Sequence, residues 1–450
     1  MSTDAPAALP RTETFTIHPG GQLRGTIRVP GDKSISHRSV IFASIAEGES
    51  TISGFLEGED TLATAAAFRA MGVAIQGPSN GKLTVTGAGL RGLRAPAADL
   101  DLGNSGTAMR LLPGVLAGQD FPVTLRGDPS LSGRPMGRIM TPLRAMGARI
   151  EADSGDTPPL TIHGAALTAI DYSMPVASAQ VKSCLLLAGL YADGTTQVRE
   201  PAPSRDHTER MLETFGCGIE RHEGVVRIAG GQRLTATPVE VPGDISSAAF
   251  FLVGASIAPG SDLRIEGVGM NPTRVGCVEI LRAMGARIDV DNERNAGGEP
   301  VADLRVRAAE LHGVDIPPSL VPLAIDEFPV LFVAAACARG ETVLGGAREL
   351  RVKESDRIAA MAEGLQALGV DAEPLEDGMR IRGGPMAGGR VASRGDHRIA
   401  MALAMAGLRA GGPVIIDDCA NVATSFPGFA DLARGIGLGI GLGIDTATDP

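Results

Sequence analysis

Lys33, Ser34 and Arg38 are compressed into Pro30-Gly31-Asp32-Lys33-Ser34-Ile35-Ser36-His37-Arg38, between a short strand expected at Thr26 to Val29 and an alanine-rich apolar helix. An ammonium, a hydroxyl and a guanidinium at that spacing can hold an anion. Ser34 and Arg38 are four apart and share a helix face. The first turn of a helix carries unpaired N–H groups and the positive end of the dipole, so cations there are unfavourable until an anion joins them. A phosphate or carboxylate ligand removes the conflict. A solvated helix start is the alternative for any single instance.

The pattern recurs, which fixes the elements that must position it. Six openings of the same kind run along the chain: PGDKSISHR (30–38), GNSGTAMR (103–110), VASAQVKS (176–183), PGDISSAAF (242–250), AIDEFPVL (324–331) and GDHRIAMAL (395–403). Each offers Asp, Asn or Ser as an N-cap before an Ala/Val/Leu helix. A strand, a loop and a second helix follow, and that helix stops at AMGVAI (70–75), AMGARI (145–150), TFGCGI (214–219), AMGARI (283–288), ALGVDA (367–372) and, more weakly, GIGLGI (435–440). Glycine there reads as a C-cap. The spacing of roughly 70 residues suits a small α/β unit and is too long for a solenoid repeat. Val29-Pro30-Gly31-Asp32 is echoed by Val241-Pro242-Gly243-Asp244 half a chain later. These echoes are taken as crossings between two domains of three units, one spanning 30–242 and the other combining 1–29 with 243–450.

Composition narrows the class. The chain is 44% hydrophobic with a net charge of -11 and almost no tyrosine or tryptophan, which argues against a nucleic-acid partner. No apolar run is long enough to span a membrane. The first fifteen residues, MSTDAPAALPRTETF, lack the basic and apolar regions of a secretory signal, so a cytoplasmic protein is expected. Cys184, Cys217, Cys277, Cys337 and Cys419 are isolated and read as reduced, buried thiols. With no HExxH and no Cys/His cluster, no metal is expected. Gly87 to Gly92 matches GxGxxG, yet Pro96 stands where its helix should run, so a turn is expected. Gly31-Asp32-Lys33-Ser34 resembles the end of a Walker A loop, but Asp32 would repel a triphosphate. IGLGIGLGI is expected to be a final strand with a frayed end.

Further cations lie in the loops: Arg134 in SLSGRPMGR, Arg205 in PSRDHTERM, Lys353 and Arg357 in RVKESDRIAAM, and Arg398 in GDHRIAM. Lys353 and Arg357 are again four apart at an expected helix start. Arg138 and Arg144 read as ordinary surface charges. Together the cations suggest a cleft between two domains that closes on more than one anionic group, with Asp326, Glu327 and Glu354 as its carboxylates. For Asp326, helix capping and catalysis stay equally open.

From about Leu23 to Leu432 the chain resembles the EPSP synthase (3-phosphoshikimate 1-carboxyvinyltransferase) family. PGDKSISHR, LGNSGTAMR, SLSGRPMGR, ASAQVKS, IDEFPVL, RVKESDR and GDHRIAM stand close to that family's motifs and in its order. The resemblance implies the α/β, two-domain enolpyruvyl transferase fold of six βαβαββ-type units, with the active site in the interdomain cleft. It implies phosphoenolpyruvate and shikimate 3-phosphate as substrates of a monomeric enzyme without cofactor. Carried over, Lys33, Ser34, Arg38, Ser178, Gln180, Arg205, Asp326 and Lys353 would bind shikimate 3-phosphate. Lys33, Gly106, Arg134, Gln180, Arg357 and Arg398 would bind phosphoenolpyruvate. Asp326 would accept the proton of the attacking hydroxyl, and Lys33 and Glu354 would move protons at the enolpyruvyl group.

Two positions depart from the family pattern. Thr424, in VATSFPGF, sits near a place where many members carry a lysine. Gly106 aligns with a position that is alanine in members resistant to glyphosate, the family's inhibitor, so sensitivity is implied. The sister enzyme UDP-N-acetylglucosamine 1-carboxyvinyltransferase carries a reactive cysteine in the region of SLSGRPMGR, and no cysteine lies between Met1 and Lys182 here. A non-catalytic sensor of phosphorylated metabolites would have no need of Asp326, Glu354 and Lys353.

Overall fold

The computed structural model describes residues 12–445. Most of the segment on which a leader was sought, 1–11, and the last five residues of 243–450 lie outside the described residues. Six small sheets are arranged by one rule. In five sheets the strand after the opening helix pairs antiparallel with the last strand of a hairpin, and in the sixth it pairs antiparallel with the N-terminal strand Thr12–Ile17 instead. On the other edge of that strand a short leading strand pairs parallel in all sheets but one. In the remaining sheet (Glu341–Leu344, Met379–Arg382, Asp371–Pro374) the leading strand shrinks to a bridge between Asp315 and Val343. All six glycines of the helix stops, 72, 147, 216, 285, 369 and 437, adopt φ between +80° and +110°, a region that a side chain at Cβ disfavours.

The opening helices, Lys33–Ile45, Gly106–Leu116, Ala179–Gly189, Ile245–Ile257, Phe328–Ala336 and His397–Ala406, are mostly buried, which is why their sequences are apolar all round. Asp32, Ser105, Ser178, Asp244 and Asp396 cap five of them through their side chains. The fifth differs: it begins at Phe328 after Glu327, with no side-chain cap. Asp326 is therefore not a capping residue. Pro329 removes one N–H that would need a partner, and the Asp326 carboxylate is left to take cations.

Buried apolar residues form two clusters, one from Ile35 to Val241 and the other from Phe15 to Val29 together with Ile245 to Ile440. Chain closure is circular in both. Val239–Glu240 pairs with Glu47–Ser53 and completes the first sheet, whereas Arg24–Ile27 leads the fourth. That strand ends at Ile27 rather than running Thr26 to Val29, because the chain leaves the sheet to cross at Pro30. Thr12–Ile17 fills the sixth sheet between Val414–Asp417 and Ile440–Asp445. The terminal glycine-rich strand is paired over Ile440–Asp445, and the end expected to fray beyond it lies outside the described residues. At the crossings Asp32 N–H donates to the Pro242 carbonyl (2.8 Å) and Asp244 N–H to the Pro30 carbonyl (2.9 Å). A Cβ on Gly31 would lie 1.8 Å from the Gly54 carbonyl, so only glycine fits there.

Of the stretch Gly87 to Gly92, Gly87 and Ala88 end the strand Lys82–Ala88 and only the residues after them turn, with no helix following. Four cysteines are buried and Cys337 is half-buried, all of them free. Burial pushes Cys217 up to about 11 and Cys337 and Cys419 up to about 12, which leaves them poor nucleophiles. Among the described residues no helix is long and apolar enough to cross a membrane, and no cluster of three metal-binding side chains occurs.

Candidate active site

Helix starts from both clusters carry the expected cations and their partners. Lys33 is the first residue of its helix and Gly106 and Arg357 of theirs, while Gln180 and Arg398 are second. Lys353 closes a 3-10 turn ahead of Asp356, the cap of Arg357–Ala367, so it does not share that helix. Lys33 pairs with Asp60, and its Nζ also donates to Ser425 Oγ (2.9 Å) across the two clusters. Arg205 pairs with Asp326, and Arg138 lies 3.5 Å from Glu349, across the same gap. The cations at helix starts were expected to wait for a ligand. Several have instead found the protein's own carboxylates, as Lys33 has in Asp60.

Asp326 is the centre of one group. Besides Arg205 it faces Lys353 Nζ at 3.4 Å and Arg357 Nη1 at 3.3 Å. Arg357, 1% exposed, also meets Glu354 (2.6 Å) and the fully buried Asp396 (2.8 Å), and Asp396 caps the helix that carries Arg398. Arg398 Nη1 donates to the Asp326 carbonyl (3.1 Å). Burial alone would raise the Asp326 carboxyl, but Lys353, Arg205, Arg398 and Arg357 together hold it well below the usual range. Glu354 is likewise depressed against its burial, by Arg357, His397, Arg134 and Lys353.

Arg110 and Arg134 form a second group with no ion pair among the described residues. Arg134 Nη2 donates to Asn104 Oδ1 (2.8 Å) and Ser130 Oγ (3.2 Å). Arg110 Nη1 donates to Gln180 Oε1 (3.0 Å), and Gln180 Nε2 in turn to Thr107 Oγ1 (3.2 Å). Burial first and the neighbouring Arg134 second lower the Arg110 guanidinium from its ordinary value. A Cβ on Gly106 would stand 3.0 Å from Arg110 Nη1 and 3.2 Å from Arg134 Nη1. That glycine is what lets both guanidinium tips reach the helix start.

Arg38 is buried rather than held out beside Lys33. Its Nε donates to Thr208 Oγ1 (2.7 Å), Nη1 to the Ser34 carbonyl (2.9 Å) and Nη2 to Ser183 Oγ (2.8 Å), and burial lowers it to about 10. Ser34 and Ser178 are half-buried at their helix starts, Ser178 accepting from Val181 N–H (3.4 Å). Thr424 donates to the Asn421 carbonyl (2.8 Å), and its own carbonyl lies against Gly58.

Sequence reasoning missed Arg110, although it stands four residues after Gly106 in GNSGTAMR, the same spacing that drew attention to Arg38. Asp60 and Lys182 were also missed. Lys182 is buried between Glu200 and Glu209 (both 2.6 Å), directly behind Ser183, and no local pattern announces it.

The EPSP synthase (3-phosphoshikimate 1-carboxyvinyltransferase) family model matches residues 17–432. A 3-phosphoshikimate 1-carboxyvinyltransferase of Alkalilimnicola ehrlichii is 67% identical over 94% of this chain and 96% of the relative, and one of Methylococcus capsulatus is 65% identical over 94% and 97%. The structure of EPSP synthase from Acinetobacter baumannii superposes with a TM-score of 0.88 at 54% identity, covering 96% of this chain and all of that one. At 18% identity and a TM-score of 0.76, the enolpyruvyl transferase NikO from Streptomyces tendae shares the fold. With matched helix starts, cations gathered from both clusters and relatives of this identity over nearly the whole length, the chain belongs to the EPSP synthase family.

Proposed function

We infer that this chain transfers the enolpyruvyl group of phosphoenolpyruvate to the 5-hydroxyl of shikimate 3-phosphate, giving 5-enolpyruvylshikimate 3-phosphate and phosphate on the route to aromatic amino acids. The observation that carries the inference is a carboxylate surrounded by cations, Asp326, together with two arginines, Arg110 and Arg134, that form no ion pair among the described residues and feel Glu354 only at longer range. Phosphoenolpyruvate brings a phosphate and a carboxylate, and Arg134, Arg357, Arg398, Lys33, Gln180 and the backbone at Gly106 are assigned to it, with Arg110 beside them. Shikimate 3-phosphate is assigned to Lys33, Ser34, Arg38, Ser178, Gln180, Arg205, Asp326 and Lys353. For Arg38 the accessible N–H groups are few, so its part is to brace Ser34 as well as to supply charge.

In the reaction the 5-hydroxyl oxygen bonds to C2 while C3 gains a proton; C3 then loses a proton as phosphate leaves. Asp326 is assigned to accept the hydroxyl proton, and Lys33 and Glu354 to move the protons at C3. A carboxylate held this far below its usual range is a weak base. The incoming anions compete for Arg205, Lys353 and Arg357, and each cation drawn away returns basicity to Asp326 and Glu354. Substrate binding thus switches on the base.

We read the chain as two domains, 30–242 and 1–29 with 243–450, a division the two apolar clusters support, and assign it as a cytoplasmic monomer that needs no cofactor. Glyphosate is assigned to the phosphoenolpyruvate pocket. The absence of a cysteine near Arg134 disfavours the UDP-N-acetylglucosamine reaction. Incubation with phosphoenolpyruvate and either acceptor tests the assignment: phosphate release is expected with shikimate 3-phosphate alone. Release with UDP-N-acetylglucosamine, or with neither, would contradict it.

A further inference from the structure

We propose that Arg274 is a positioning residue that locks the two chain crossings to the reacting groups on both sides, a role that rests on the enolpyruvyl transfer assigned above. Arg274 lies between the strand Asp262–Gly269 and the helix Gly276–Ala283 and is 3% exposed. Its Nη1 donates to Asp32 Oδ2 (3.0 Å), and its Nη2 to Asp244 Oδ1 (3.2 Å) and Ser246 Oγ (2.7 Å). Glu327 Oε1 stands 3.9 Å from the same Nη2 and accepts the Ser246 hydroxyl.

Those partners are not scattered. Asp32 and Asp244 are the caps of the two helices that follow the crossings, and Asp244 Oδ2 also faces the Lys33 N–H at 3.4 Å. Glu327 is the residue after Asp326, and Arg398 Nη1 lies 3.8 Å from it. One planar guanidinium therefore fixes the backbone that carries Lys33 and, through Glu327, the backbone that carries Asp326. Lys33 and Asp326 come from opposite clusters. Three buried carboxylates around one cation are a poor device for stability, since well-packed apolar side chains of the same volume would usually serve as well. What the cluster adds is a fixed distance between two groups that must meet one substrate.

Arg274→Lys tests the role, because an ammonium is a point charge that cannot bridge Asp32 and Asp244 as the fork does. With thermal unfolding showing a folded protein, kcat is expected to fall about 10²-fold, the scale of a misplacement near 1 Å, while both KM values and the shikimate 3-phosphate Kd stay within about threefold. A purely structural role would lower Tm and leave kcat per folded molecule unchanged, and that result would overturn the proposal. If Arg274→Lys does not fold, Glu327→Gln decides, since it weakens the same link: a drop in kcat with unchanged KM is expected, and parental kcat would overturn the proposal. No phosphate release by the parent protein would overturn the functional assignment and this role with it, whereas an active parent and a fully active, folded variant would overturn this role alone.

Discussion

The Asp326 group and the Arg110–Arg134 pair both feel the charge of Glu354, and they treat charge in opposite ways. Around Asp326 every cation already has a carboxylate or carbonyl of the protein: Arg205, Lys353 and Arg357 share Asp326, and Arg357 also holds Glu354 and Asp396. Among the described residues Arg110 and Arg134 hydrogen-bond only to neutral groups, Asn104, Ser130, Gln180 and the Gly106 carbonyl. Two neighbouring guanidinium groups that form no ion pair repel one another, a cost that an anion between them removes. The first arrangement is poised for exchange, trading an internal anion for the substrate's. The second is poised for capture.

The largest effect is expected where exchange is abolished. Asp326→Asn should lower kcat about 10²- to 10⁴-fold, the range of a lost general base. Steady-state phosphate release checks it, and kcat within threefold of the parent would remove Asp326 from the proton path. Capture is sharpened by Gly106→Ala, whose methyl group would stand 3.0 Å from Arg110 Nη1 and 3.2 Å from Arg134 Nη1, closer than ordinary van der Waals contact. Crowding of this kind typically costs about 1–3 kcal/mol. Glyphosate, longer than phosphoenolpyruvate, should bear most of it, so its inhibition constant should rise about tenfold or more while KM for phosphoenolpyruvate changes little. An unchanged inhibition constant would break the idea, and equal losses for both ligands would mean that Gly106 serves only the turn.

A smaller effect belongs to the histidine beside the exchange group. Burial, aided by Lys33 and Arg398 and opposed by Asp396, holds His397 at about 3, well under its ordinary 6.5. The unfolded chain then binds more protons between those values, so the contribution of this group is full above about pH 6.5 and is lost as pH falls toward 3. Tm should decline over that window, and His397→Gln should flatten the decline. Parallel pH profiles for parent and variant would exclude His397 as a source.

Capture and exchange were unequally legible in the sequence. The six helix stops could be read because a glycine C-cap is local chemistry, and each of the six glycines does adopt positive φ. The caps Asp32 and Asp244 were visible as an echo of four residues. Arg134, Arg357 and Arg398 could be picked out as cations at loops and helix starts. What could not be read was which cation keeps an internal partner. Asp60 meets Lys33, and Arg274 meets Asp32, Asp244 and Glu327, only through tertiary packing across the crossings. Thr12–Ile17 completing the last sheet is equally non-local, since nothing in its six residues names a partner four hundred residues away.

The distinction between exchange and capture is tested most directly by titrating phosphoenolpyruvate, by calorimetry, into protein saturated with shikimate 3-phosphate, for the parent and for Arg134→Ala. Loss of one charge-assisted contact costs about 1.5–3 kcal/mol, which is about 10- to 150-fold in affinity. The account predicts a loss of that size for phosphoenolpyruvate, with shikimate 3-phosphate affinity unchanged. Parental phosphoenolpyruvate affinity in Arg134→Ala would contradict it.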